Sequence, residues 1–206
     1  GYQLRNTDDC IIHFNNEQKE KIIRLRTIQS LCNKPVSWLI DNAERANEEI
    51  IKRGINKILL YGPANSLYYI EERIKLNRPK VVLIDQGVKV KFPGIKEKTE
   101  GLQQLYYFYR EMAKKYNCDV ISVGQAADSA RQHNKKWLTQ DDCANSKIDL
   151  PGECDTMIGI NKDNTPIDNF IRYISICKDK VGAEDTICQV RFNRATGRYE
   201  EIEGGS

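Results

Sequence analysis

The sequence predicts an α/β protein in which a largely parallel sheet is flanked by helices and the chain closes on an antiparallel hairpin. Three observations predict it. Short apolar runs rich in β-branched residues alternate with longer amphipathic stretches, the pattern of strand, crossover helix and strand. That alternation stops after Ile160, where two strand-like runs flank a charged turn, KDKVGAED. A chain of 206 residues, 40% hydrophobic and with its charges well mixed, can bury about 70% of its unfolded surface around one core and is cramped for two full domains.

In chain order, the candidate strands of the alternating part are Ile11 to Phe14, Lys57 to Tyr61, Val81 to Asp85, Val120 to Val123 and Met157 to Ile160. After the first, Glu17 to Cys32 spaces Ile22, Ile23, Arg26, Ile28 and Leu31 at mixed threes and fours, a helical repeat. Ser37 opens a second helix with Asp41 and Glu44 in its early turns, and Asn65 or Ser66 caps a third that ends near Leu76. Glu100 to Asn117 is the longest helix, with Leu102, Leu105, Tyr106, Tyr109 and Met112 along one side. Phe170 to Cys177 and Thr186 to Asn193 pair as the hairpin, and RATGRYEEI adds a short strand after the Thr196-Gly197 turn. No repeat, low-complexity tract or Pro/Gly/Ser linker divides the sequence, so residues 1–203 read as one domain and 204–206 as a flexible tail.

Composition removes several function classes. With 32 Lys+Arg against 29 Asp+Glu, the net charge of +3 is too weak a field to announce a nucleic-acid partner by itself, so any such contact must come from local patches. The opening GYQLRNTDDC has neither the basic start nor the apolar core of a signal peptide, and no apolar run approaches the ~18 residues of a membrane span. The expectation is a soluble, cytoplasmic protein without a membrane partner. Seven cysteines without a C-x-x-C fit neither a disulfide framework nor a zinc ribbon, and with only His13 and His133 a histidine metal site is not expected.

Chemistry is expected at the carboxyl ends of the parallel strands, where open sheets of this kind bind ligands. KVVLID ends a buried strand on Asp85, the placement a Walker B aspartate uses to reach a magnesium ion held by nucleotide phosphates. Glu17 lies just past the first strand, where a carboxylate can orient a water or simply support the helix dipole. Gln125 follows VISVG and can sense a phosphate without repelling it, or serve as a surface amide. Taken together, the three polar groups follow three different strands and would converge on one edge. Two long connections are basic: 86–99, with Lys89, Lys91, Lys96 and Lys98, and 126–153, with Arg131, Lys135, Lys136 and Lys147. Lys178 and Lys180 stand at the hairpin tip, placed either in a charged turn or toward a neighbouring subunit.

These segments, in this order, resemble the RecA-like motor domain of DnaB-family replicative helicases, particularly phage versions. FNNEQKEKIIRLRTIQSLC is similar to the stretch after the family's second strand, and PKVVLIDQ to Walker B. LYYFYREMAKKYNCDVISVGQ resembles the helix, strand and terminal glutamine of the next motif, and ECDTMIGINKD and YISICKDKVGAEDTICQVRFNRATGRYEEI the closing strand and hairpin.

The resemblance implies a motor that takes ATP and Mg²⁺, acts in DNA replication and translocates on single-stranded DNA as a hexameric ring of its own copies, with primase as a possible partner. Glu17 would be the general base, Asp85 the magnesium carboxylate, and Gln125 the link between γ-phosphate and DNA loops. Lys178 and Lys180 would reach the neighbouring subunit's nucleotide, Lys180 standing where the family commonly has an arginine. Lys89, Lys91, Lys96, Lys98, Arg131, Lys135 and Lys136 would track the phosphates of the strand.

The departure from the family is an absence. None of the thirteen glycines is followed by lysine, so the phosphate loop G-x-x-x-x-G-K-[ST] is not in the sequence. The expectation is therefore the carboxyl-terminal part of a helicase motor with little ATP hydrolysis of its own. The alternative is a non-catalytic RecA-like DNA-binding or ring-assembly module. A carboxylate nuclease, which would need Asp155 beside Asp85, is a third reading.

Overall fold

The computed structural model describes residues 10–64, 66–90, 94, 98–128, 130, 135–143, 152–162, 170–182 and 186–202, with backbone alone at 98 and 99. They form two units. The first holds residues up to 94 with 108–123 and 195–197, and the second holds the rest.

The first unit is built on a four-stranded parallel sheet. Its strands are β1 (Ile11–Asn15), β2 (Ile58–Tyr61), β3 (Val81–Asp85) and β4 (Asp119–Val123), in the order β2-β1-β3-β4. Residues level with one another in a parallel sheet share a face. Ile12, Val82 and Val120 are one such row and Phe14, Ile84 and Ser122 the next. Ile12, Phe14, Val82 and Ile84 are wholly buried there.

Helix α4 (Leu67–Asn77) supplies Leu67, Ile70 and Ile74 to the core of this unit. Its Tyr69 meets Phe14 edge-on at 6.0 Å and Tyr61 at 6.4 Å. Helix α5 (Lys98–Tyr116) begins in the second unit and ends in the first. It is tied to α4 through Glu71, whose carboxylate accepts from Lys115 Nζ at 2.6 Å and from the Tyr116 hydroxyl at 2.8 Å. Between β1 and β2 lie α1 (Glu20–Cys32), α2 (Val36–Asp41) and α3 (Ala43–Lys52). Arg53 locks this group, donating to Leu31 O at 2.8 Å and to Glu49 at 2.6 Å. The helix expected to open at Ser37 is thus two helices. Asn42 breaks it with φ −128° and ψ 48°, its side chain donating back to Trp38 O at 3.0 Å, a competition with helical bonding typical of asparagine.

The second unit is an antiparallel sheet, β5 (Thr156–Asn161), β6 (Ile171–Asp179), β7 (Ile187–Asn193) and β8 (Arg198–Glu201), paired in chain order. The hairpin and short closing strand stand where the sequence places them. The strand at Met157 to Ile160, expected to continue the parallel alternation, instead pairs antiparallel with β6, with a register shift between Met157 and Ile158. Residues 135–143 cover this sheet. Leu138 O accepts from Ser175 Oγ at 2.7 Å and Cys177 Sγ at 3.1 Å, and Trp137 meets Tyr173 edge-on at 4.9 Å. All seven cysteines are free thiols. Among the described residues no helix is long and apolar enough to cross a membrane.

Candidate functional site

Three adjacent parallel strands end level with one another. Asn15 closing β1 is opposite Asp85 closing β3, and Asp85 is opposite Val123 closing β4, so these residues form one row on one face at the carboxyl rim. His13 lies two residues back from Asn15 on that same face.

The turn after β1 is built by two asparagines. Asn15 is 4% exposed. Its Oδ1 accepts the backbone N–H of Glu17 at 3.2 Å and of Gln18 at 3.1 Å, and its Nδ2 donates to Gln18 O. Such an Asx turn reverses the chain with side-chain bonds in place of ladder bonds. Here it lifts Glu17 out of the strand. Asn16 clasps three strand ends: its N–H donates to Asp85 O at 2.5 Å, its Nδ2 to Gln86 O at 3.2 Å, and its Oδ1 accepts the Ala64 N–H at 2.6 Å.

Glu17 is held by two side chains from the segment after β3. Gln86 Nε2 donates to its Oε2 at 3.2 Å, and Lys89 Nζ stands 3.7 Å from its Oε1. Gln86 is buried and follows Asp85 across a cis peptide bond. The turn that carries Lys89, Gly87–Lys89, sits so close to β4 that a Cβ on Gly87 would collide with Ser122 Oγ. Tyr109 of α5 donates its hydroxyl to Gly87 O at 3.2 Å. The position of Lys89 is therefore fixed from behind by the sheet and by α5.

His13 is buried, and its Nε2 has no hydrogen-bond partner. Burial pushes its imidazole below the usual histidine range, against an opposing pull from the Asp85 carboxylate.

The remaining candidates are placed as follows. Gln125 is exposed, two residues beyond β4 and within the second unit. Lys178 is the penultimate residue of β6, and Lys180 follows the strand with Nζ 2.5 Å from Asp155 Oδ1. Lys135 Nζ donates to both carboxylate oxygens of Asp142, at 2.8 and 2.9 Å. Burial works against that charge, but the bonds from Lys135 and Thr139 outweigh it and hold Asp142 below the usual carboxylate range. Lys136 lies over the Tyr173 ring at 5.5 Å. Lys98 opens α5 with its side chain outside the described residues, and Lys91, Lys96, Arg131 and Lys147 lie outside them altogether. Sequence reasoning missed Asn15, Asn16, Gln86 and the buried His13. Two consecutive asparagines directly after an apolar run were the available signal for the turn.

The rim suits magnesium and lacks a cradle for phosphates. Among the described residues no three His, Cys, Asp or Glu side chains gather to hold an ion, as expected where Mg²⁺ takes one carboxylate and relies on phosphate oxygens and water for the rest. Asp85 fits that single role. The Gly-Lys loop whose amides would bind the phosphates is not in the sequence.

No family model matches the sequence, and no curated protein matches it. Solved structures do. The ATPase domain of one DnaB-like replicative helicase superposes with a TM-score of 0.78 at 17% identity, over 97% of this chain and 76% of that one. A second DnaB-like replicative helicase, described with its interactions with primase, gives 0.79 at 18% identity, over 97% of this chain and 52% of that one. The RadB recombinase is more distant, at 0.59 and 13% identity over 95% of this chain and 80% of that one. The chain has the RecA-like fold that the ATPase domains of DnaB-like replicative helicases carry.

Proposed function

We propose that the chain is part of the motor of an ATP-dependent replicative DNA helicase, residues 1–203 forming a partial RecA-like ATPase domain ahead of a short tail at 204–206. The observation that carries this reading is the sheet rim, where Asp85 ends β3 and the turn after β1 presents Glu17 to Gln86 and Lys89. Apolar strand ends are cheap to fold. A rim that spends two asparagines and a buried glutamine on placing one exposed carboxylate is organised for a ligand.

In this reading magnesium ATP, when bound, supplies the phosphoanhydride bond whose hydrolysis drives movement. Asp85 would hold the ion, Glu17 would orient the attacking water, and Gln125 would report the γ-phosphate to the DNA-facing segments. Lys178 and Lys180 would serve the nucleotide of a neighbouring subunit in a hexameric ring. Lys89, Lys91, Lys96, Lys98, Arg131, Lys135 and Lys136 would follow the phosphates of single-stranded DNA in the cytoplasm, with primase as a partner of the whole assembly. A second reading, a RecA-like DNA-binding or ring-assembly module that hydrolyses nothing, is favoured by one observation, the absent Gly-Lys pair.

Single-strand binding tests what both readings share. Titrating fluorescein-labelled dT20 over a salt series gives a log–log slope set by the number of phosphates neutralised. Replacing Lys89, Lys91, Lys96 and Lys98 by glutamine should flatten it by about 0.7 for each phosphate that the segment no longer neutralises. An unaltered slope removes this segment from the interface. Absence of binding at low salt removes both readings.

A further inference from the structure

Lys89 belongs to the segment assigned to DNA, yet its ammonium lies against the carboxylate assigned to water. We propose that Lys89 and Gln86 are positioning residues that hold Glu17, and that a single-strand phosphate releases the carboxylate by taking Lys89 from it. This inference rests on the reading above.

The geometry offers a direct exchange. Glu17 is gripped at both oxygens, Oε2 by Gln86 Nε2 at 3.2 Å and Oε1 by Lys89 Nζ at 3.7 Å. The two grips differ in kind. Gln86 is buried and its backbone oxygen is tied to Asn16 Nδ2 at 3.2 Å, so it stays with the sheet. Lys89 is 44% exposed and Glu17 40%, and at 3.7 Å their pair is loose. Exposed pairs of this kind are weak and screened by salt, so a phosphate of similar charge competes on equal terms. The backbone under Lys89 stays put during such an exchange, since Gly87 is fitted against Ser122 and bonded by Tyr109. Only the lysine side chain has to swing. The three residues that make the device, Glu17, Gln86 and Lys89, follow β1 and β3, so nucleic acid bound at one strand end alters a carboxylate at the next.

By linkage, whatever frees Lys89 strengthens strand binding as much as strand binding frees Glu17. The test needs no nucleotide. Binding of fluorescein-labelled dT20 at low salt is compared for the parent, Glu17→Gln, Lys89→Met and the double variant. Glu17→Gln is expected to tighten dT20 about two- to fourfold, the worth of an exposed pair, and to change nothing when Lys89 is already methionine. The ¹³C signal of the Glu17 carboxyl, identified by its disappearance in Glu17→Gln, should shift on adding dT20 to the parent and stay fixed in Lys89→Met. If Glu17→Gln tightens binding equally in both backgrounds, the effect is the general field of one missing charge and the exchange is wrong. If dT20 binds but Glu17→Gln has no effect, the exchange is also wrong while the motor reading stands. If no variant binds dT20, both fall.

Discussion

Asn15 and Asn16 show how much a rim can depend on short polar side chains. An asparagine at the end of a buried strand must bond its own backbone or leave two polar groups stranded. Asn15 does the first, turning the chain so that Glu17 stands out, and Asn16 uses the same chemistry to join the ends of β1, β3 and the segment after β2. Glu17 and Asp85 were legible as chemistry because carboxylates at strand ends are informative types in informative places. Gln86 was not, because an amide after an aspartate looks like ordinary loop until its partner across the sheet is known. The same holds for His13, which reads as a lone histidine in IIHF and turns out buried with an unpartnered Nε2. Its lowered value has a consequence for stability. As pH falls below about 6.5 the unfolded chain takes up a proton that the folded imidazole refuses, so stability falls with pH until the folded-state value is passed. Urea unfolding at pH 7.5 and pH 5.5 should show this loss in the parent and less of it in His13→Leu, where nothing titrates. An identical loss in both proteins would place the pH dependence elsewhere.

At the scale of elements, strands were easy to find and their partners were not. Val81–Asp85 is a continuous apolar run ended by a carboxylate, and the structure puts β3 at those bounds. Met157 to Ile160 has the same texture, yet β5 belongs to the antiparallel sheet with β6. Periodicity measures which faces are buried, and both sheet types bury β-branched residues. The deciding feature is an approach from far along the chain: Gly159 on β5 lets the 135–143 segment come down onto the sheet. A Cβ there would stand 2.7 Å from Leu138 Cβ, 2.8 Å from Ser175 Oγ and 2.9 Å from Cys177 Sγ. Leu138 is backed by its own hydrogen bonds from Ser175 and Cys177 and cannot simply withdraw. Gly159→Ala should therefore cost about 1–3 kcal/mol, the range of an overpacked core, seen as a lower urea midpoint with an unchanged slope. A neutral result would mean that the segment over β5 yields freely. The glycine was visible in the sequence, but its reason was not.

For the whole molecule, the order of elements was legible and the division into two units was not. The alternation of strand and helix, the closing hairpin and the basic connections all follow from residue types in sequence, but which stretches share a core depends on pairings the sequence does not state. β4 makes the point: it is found from DVISV, yet Ile121 is 50% and Val123 40% exposed, unusual for a parallel strand, which normally has both faces covered. The same face carries Asp85, so the rim is open on the side where a nucleotide would need its phosphate cradle. A carboxylate for the ion and another for the water do not bind a triphosphate by themselves, because the negative phosphates are repelled by both unless backbone amides and a lysine offset the charge. The chain as it stands is therefore expected to release no phosphate from magnesium ATP above the buffer rate, with or without dT20, in a malachite-green assay. Turnover that disappears in Glu17→Gln would show that the described rim completes its own phosphate site from residues of this chain. Turnover that survives Glu17→Gln would remove Glu17 from the chemistry. The expected silence, joined to salt-dependent dT20 binding, would separate the strand-tracking half of the motor from the half that consumes nucleotide.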